Sequence, residues 1–136
     1  GVTTKVIAGE VVDADGATVR GPIDQPATSP IYLDVALEPG AEWSHALPEG
    51  HNAFAYVFEV TAAIGEGEDA RELASQELGV LGGGDSVAMR GGSDGARLIL
   101  VAGRPLREPV ARYGPFVMNT REQVMQAFVD FQEGRL

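Results

Sequence analysis

The sequence predicts an all-β domain that ends in one α-helix. Short apolar segments with a two-residue period are separated by turn residues, and the 136 residues include 18 glycines and 8 prolines. Many short strands between Gly, Pro and Asp turns are typical of a β-sandwich or a small barrel. The convincing helical signal comes near the end of the chain, where a capping motif precedes apolar residues at helical spacing.

The clearest strands lie in the middle of the chain. Residues 31–37 alternate apolar and other side chains, which indicates a half-buried strand. Residues 52–64 carry bulk on both faces, as in a strand that is covered on both sides. An apolar run predicts a buried strand at residues 96–102, and weaker patterns predict strands at residues 2–12, 41–47, 71–78 and 86–89.

Turn residues predict the connections between these strands. Residues 13–30 contain many Gly, Pro and Asp residues, which indicates a long surface excursion without regular structure that rejoins the sheet. Residues 65–70 indicate a loop, and turns are predicted at residues 82–85 and 91–95.

The segment 102–119 joins the β region to the helix. Gly103, Pro105 and Pro109 are expected to prevent regular ladder pairing or a helix through it, and Gly114-Pro115 indicates a turn. Its charged side chains are either solvated loop charges or a candidate interaction loop formed by Arg104, Arg107 and Glu108.

The helix is predicted to begin after Thr120, because Thr120 and Gln123 match the capping box. An apolar stripe follows, and Gly134 is the expected stop. The stripe consists of Val124, Ala127, Phe128 and Phe131. We therefore predict a β-barrel domain over residues 1–119 and a helix over residues 120–136 that packs on the barrel or on a partner domain. Val124, Phe128 and Phe131 are its candidate interaction residues.

Composition excludes several classes of function. A net charge of −10 and a pI near 4.5 disfavour direct binding to nucleic acid or to anionic membranes. Without cysteine the chain has no disulfide, no thiol chemistry and no Cys-ligated zinc. No run is long and apolar enough to span a bilayer, and we expect a cytoplasmic protein. Gly1 stands where a start Met would, as is expected of a processed, tagged or excised piece of a longer protein.

Several motifs resemble one family closely. They include the LEPGA and LPEG turns, the strand that contains Phe54-Ala55-Tyr56, and above all LVAGRPLREPV at residues 100–110 with YGPFVMNT at residues 113–120. Together they resemble the C-terminal cupin domain of the pirin family. The resemblance covers essentially the whole chain, and it implies a cupin-type double-stranded β-helix (a jelly roll) with a C-terminal helix.

The resemblance also implies a longer parent protein. Pirins are bicupins whose N-terminal cupin holds iron or a similar divalent metal through three His and one Glu, so that metal would lie in the absent half. Family members are described as quercetin-oxidising dioxygenases, or as transcription cofactors and protein-binding regulators.

A metal site of this domain's own is not expected. A metal-binding cupin needs paired His near Ala46 and Pro48, a Glu near Ala53 and a later His near residues 93–97, and none of these ligands is present. The two histidines, His45 and His51, either approach each other across the Pro48–Gly50 turn as a surface metal pair or are exposed and lack a structural partner. We favour the second alternative, with no cofactor in this chain.

Other catalytic patterns are weak. Ser44 and His45 point to opposite faces of a strand and cannot form a catalytic pair. The three glycines at residues 82–84 lack the Lys and Ser/Thr of a phosphate-binding loop. Trp43 either lines the barrel mouth or fills the core.

Three functional hypotheses follow. In the first, the chain is a metal-free, non-catalytic cupin that docks on an N-terminal cupin domain of the same or another chain, or forms a homodimer. In the second, it is part of a pirin-like quercetin 2,3-dioxygenase. In the third, the barrel interior binds a small molecule.

Overall fold

Eleven strands are followed by one α-helix in the computed structural model, which describes residues 1–135. The strands are β1 (Val2–Ala8), β2 (Glu10–Val12), β3 (Thr18–Arg20), β4 (Ile31–Leu37), β5 (Glu42–Ala46), β6 (Asn52–Ile64), β7 (Arg71–Ala74), β8 (Glu77–Val80), β9 (Ser86–Gly103), β10 (Ala111–Tyr113) and β11 (Phe116–Met118). The helix α1 spans Arg121–Gln132, and a short 3-10 turn covers Gly67–Asp69. The prediction of an all-β fold with a C-terminal helix is confirmed.

The chain forms two compact units, Gly1–Pro105 and Leu106–Leu136. The last residue, Leu136, belongs to the predicted segment 120–136 but lies outside the described residues. The domain boundary predicted after residue 119 stays a prediction.

The first unit is built on one antiparallel sheet in the order β1-β4-β9-β6-β7. Two long strands, β9 and β6, form its centre. The first half of β9 pairs with β5 and its second half with β4. Strand β6 pairs with both β8 and β7. The register of β6 against β9 shifts part-way along both strands, and residues from both halves of the sheet share one core, so the two halves face each other. Their inward side chains meet in one apolar core, which includes Leu33, Val35, Val57, Val87, Met89, Leu98 and Leu100.

Glycines form the corner at which β9 bends. A Cβ on Gly91 would lie 2.5 Å from the carbonyl oxygen of Glu38, and Gly95 has a φ of +84° that favours glycine. The register of β6 against β9 shifts at the same place, from Ala62 opposite Gly91 to Val60 opposite Ala96. The prediction of a turn that ends one strand at residues 91–95 is therefore wrong, because these glycines allow a single strand to bend and continue.

Two other sequence predictions need correction. Residues 13–30 are not wholly irregular: β3 pairs with β2, and Asp13 closes the turn by accepting hydrogen bonds from the backbone N–H groups of Asp15 and Ala17. The strand predicted at residues 71–78 is divided into β7 and β8 by a turn in which Gln76 has a φ of 71°. In both places the chain turns back within a few residues. The backbone N–H and C=O groups of these segments then form hydrogen bonds in short strands.

The second unit consists of the β10–β11 hairpin and α1. The hairpin turns at Gly114-Pro115, so the predicted turn is present, although the paired strands around it were not predicted. The capping box is confirmed: Gln123 donates its N–H to Thr120 Oγ1 at 3.2 Å, and Thr120 donates its N–H to Gln123 Oε1 at 3.0 Å. Gly134, at a φ of +69°, follows the end of the helix.

Aromatic packing connects the hairpin to the helix within this unit. Phe128 lies edge-on to Phe116, with ring centroids 4.9 Å apart, and 5.3 Å from the ring of Tyr113. Such aromatic pairs stabilise by about 0.5–1.5 kcal/mol beyond their buried area.

Candidate functional site

The three charges of the candidate interaction loop have separate surroundings. Arg104 belongs to the first unit, where its backbone N–H donates to the carbonyl of Thr28 at 2.7 Å. Arg107 and Glu108 belong to the second unit. Glu108 accepts a hydrogen bond from the Asn119 side chain at 2.9 Å, and Arg107 is exposed with a φ of 55°.

The three candidate residues of the helix differ in exposure. Val124 is buried, Phe128 is half-buried against the hairpin, and Phe131 is 64% exposed. Val124 therefore serves the packing of the chain itself, and Phe131 is the candidate whose side chain is free to meet another molecule.

The second unit exposes more apolar surface than the helix stripe alone. Seven of its large apolar side chains are exposed: Leu106, Val110, Tyr113, Val117, Met125, Val129 and Phe131. Exposed apolar side chains that cluster on a protein surface are typical of interaction sites. We call these seven residues the second unit's apolar surface.

The two histidines do not match the favoured description of exposed side chains without partners. The Nε2–H of His51 donates to the carbonyl of Ser29 at 2.9 Å, which ties the loop before β4 to the start of β6. Its Nδ1 is buried and has no hydrogen-bond partner among the described residues. A contact between residues 22 positions apart leaves no signal in the sequence.

His45 is half-buried and stacks on Trp43. The two rings are nearly parallel, with an interplanar angle of 14° and centroids 5.4 Å apart. Burial away from water lowers the pKa of His45 below its usual value of 6.5, because it penalises the charged imidazolium. The imidazole is therefore neutral at pH 7.

The inward face of β5 carries Trp43, His45 and then Leu47, since side chains alternate along a strand. Ala46 and Pro48, where the paired cupin ligands were expected, are exposed. Trp43 packs partly against the core, as one of its two predicted roles requires, and it also lines a cleft beside β5. The alternation Trp-x-His-x-Leu could have predicted that these three side chains share a face.

Within residues 1–135, no group of three or more His, Asp or Glu side chains is close enough together to hold a metal ion. Over the same residues, no helix has the length and apolarity needed to cross a bilayer.

Comparison with known proteins identifies the family. The family model of the pirin C-terminal cupin domain matches residues 32–136. The chain belongs to the pirin family. This pirin domain is 43% identical to a pirin-like protein of Caulobacter vibrioides, over 99% of the chain and 46% of that protein. It is 38% identical to human pirin, over 99% of the chain and 45% of that protein.

Among solved structures, this pirin domain is similar to quercetin 2,3-dioxygenase from Acinetobacter baumannii. The TM-score is 0.83 at 29% identity, and the match covers 99% of the chain and 44% of that protein. The resemblance to a cupin of the pirin type is thereby confirmed. The chain spans about half the length of the curated relatives it matches.

Proposed function

We propose that this chain is the structural, non-catalytic half of a pirin-type protein, and that the second unit's apolar surface docks on an N-terminal cupin domain. The observation that carries the proposal is the exposure of seven large apolar side chains on so short a unit. Curated relatives are about twice as long as this chain, and the family that the chain matches is the C-terminal cupin domain of pirin. An N-terminal cupin is therefore a partner of suitable size and origin.

The chemistry of this surface suits a protein partner. Tyr113, Met125 and Phe131 are exposed, and aromatic residues and Met are enriched in protein interfaces. Arg107 and Arg112 are exposed in the same unit and could form the polar rim of such an interface. In the absence of that partner, two copies of the chain would be expected to associate through the same surface.

Binding to the N-terminal half of the Caulobacter vibrioides relative, produced separately, tests the proposal. A 1:1 complex is expected by analytical ultracentrifugation, and Phe131→Asp should weaken it by about tenfold or more, as for an interface anchor worth over 1.4 kcal/mol. Val80→Asp is the matched control, because Val80 is 81% exposed in the first unit. The chain alone should self-associate at high concentration, and Phe131→Asp should reduce this.

Two results would contradict the docking role. One is a chain that stays monomeric alone and does not bind the N-terminal half. The other is a complex that Val80→Asp weakens as much as Phe131→Asp does.

A second function is favoured by similarity to the Acinetobacter baumannii quercetin 2,3-dioxygenase. In this alternative the chain contributes to a metal-dependent oxidation of flavonols. Metal analysis of the untagged chain, together with oxygen uptake in the presence of quercetin, separates the two. Stoichiometric metal and oxygen uptake by the chain alone would overturn the non-catalytic role.

A further inference from the structure

An open cleft of about 840 Å³ lies in the first unit, between the β2–β3 hairpin, the loop before β4 and strand β5. Its volume is within the range of about 300–1,000 Å³ that is usual for small-molecule sites. Apolar side chains supply much of its lining, among them Val11, Val12, Ile23, Ile31 and Leu47. Val12 and Ile23 are 64% and 52% exposed, so the cleft presents apolar surface to incoming molecules.

One wall of the cleft carries two aromatic rings. Trp43 and His45 both line it, and their nearly parallel rings form an offset stack on the inward face of β5. A third planar ring can extend such a stack, with a gain of about 0.5–1.5 kcal/mol over its buried area. The neutral imidazole of His45 also provides a group that can donate or accept a hydrogen bond.

The opposite wall is held in place before any ligand arrives. The backbone N–H of Gly21 donates to the Gly9 carbonyl at 2.9 Å, and that of Ile23 donates to the Ile7 carbonyl at 3.2 Å. The end of this loop is fixed by the hydrogen bond from His51 to Ser29. A pre-formed wall reduces the ordering cost of binding.

The charges of the cleft disfavour anions. Glu10 and Asp24 line it together with Arg20, and the Arg20 guanidinium is already paired with Glu10 at 3.0 Å. Asp24 therefore leaves the lining with a net negative charge, in a chain whose total charge is −10.

We propose that this cleft is a binding site for a neutral, planar, bicyclic aromatic molecule that stacks on Trp43 and His45. This inference is independent of the docking role, because every residue of the cleft belongs to the first unit and the docking surface belongs to the second.

Three probes of similar size test the assignment: 2-naphthol, which is neutral and planar; decahydro-2-naphthol, which is neutral but not planar; and 2-naphthoate, which is planar but anionic. Trp43 is the only tryptophan, so its single indole N–H signal in NMR spectra reports on the cleft. We expect 2-naphthol to shift this signal and the His45 ring signals saturably. It should bind about threefold to tenfold more tightly than decahydro-2-naphthol, as the energy of one aromatic stack implies. It should also bind more tightly than 2-naphthoate, because the net negative charge of the cleft repels the carboxylate.

Matched variants locate the bound probe. Ile23→Glu replaces apolar lining of the cleft by a third acid, beside Glu10 and Asp24, at a position outside the core, and it should weaken 2-naphthol binding by about tenfold. Ala70→Glu is the control, because Ala70 lines a separate cleft of about 580 Å³ that Trp43 also borders. Trp43→Leu should abolish the preference for the planar probe, and thermal melts establish that each variant is folded.

Three results would overturn the proposal: equal affinity for the planar and the saturated probe, equal or tighter binding of 2-naphthoate, or loss of binding in Ala70→Glu but not in Ile23→Glu. If Trp43→Leu does not fold, the probe series and the other two variants still decide the matter.

Discussion

The two units of the chain use their apolar side chains in opposite ways. In the first unit, two facing halves of a bent sheet bury side chains such as Leu33, Leu98 and Leu100 completely. The second unit buries only Val124 and Ala127 among its described apolar residues, yet it exposes as many large ones as the first, which is more than three times longer. The first unit thus buries or half-buries most of its large apolar side chains itself, whereas the second leaves most of its described large apolar side chains exposed.

The largest expected effect comes from opening the core of the first unit. Leu100→Ala removes a side chain that is fully buried between β4 and β6, and it should lower the free energy of unfolding by about 2–5 kcal/mol. Leu78→Ala, at a position that is 52% exposed in the same unit, should cost less than about 1 kcal/mol. Urea denaturation measures both, and equal costs would contradict the description of a closed core.

A smaller loss is expected at the corner of β9. Gly91→Ala forces a Cβ to within 2.5 Å of the Glu38 carbonyl oxygen, so the backbone must shift, at a cost of about 1–3 kcal/mol. Gly82→Ala is the matched control, since a Cβ there meets nothing within 4 Å. Equal stability of the two variants in thermal melts would mean that the bend of β9 does not require the close contact between residue 91 and the Glu38 carbonyl.

The helix cap should affect the second unit alone. Thr120→Ala removes the hydroxyl that accepts the Gln123 N–H and should destabilise α1 by about 1 kcal/mol. Amide hydrogen exchange should speed up in the helix and stay unchanged in β4, β6 and β9. Thr120→Ser retains the hydroxyl and should restore protection; equal acceleration in the core strands would show that the two units unfold together.

The two units should lose stability over different ranges of pH. The pKa of His45 is lowered by burial, so the unfolded chain binds a proton first, and stability falls as the pH drops below about 6.5. In the second unit, hydrogen bonds lower the pKa of Glu122 and of Asp130, so their contribution is lost only below the usual carboxyl values of about 4.5 and 3.8.

The local free energy of unfolding, measured by NMR for each unit between pH 7 and pH 5, should therefore fall in the first unit. That of the helix should stay unchanged over this range. His45→Gln should flatten that decline. An unchanged decline in this variant would mean that His45 is not its source.

The all-β class, the capped helix and most of the strands could be predicted from the amino-acid sequence, because they depend on local periodicity, turn chemistry and capping. The sequence also carried the family motifs at residues 100–110 and 113–120. Residues that share a strand face, such as Trp43 and His45, were within reach of the same reasoning.

Contacts between residues that are distant in the sequence could not be predicted and are visible in the folded chain. The bend of β9 at Gly91 depends on the carbonyl of Glu38, and the hydrogen bond of His51 depends on the carbonyl of Ser29. The cleft likewise needs the β2–β3 hairpin to stand opposite β5. Each of these joins residues far apart in sequence, and no local pattern records which distant groups will approach once the sheet has closed.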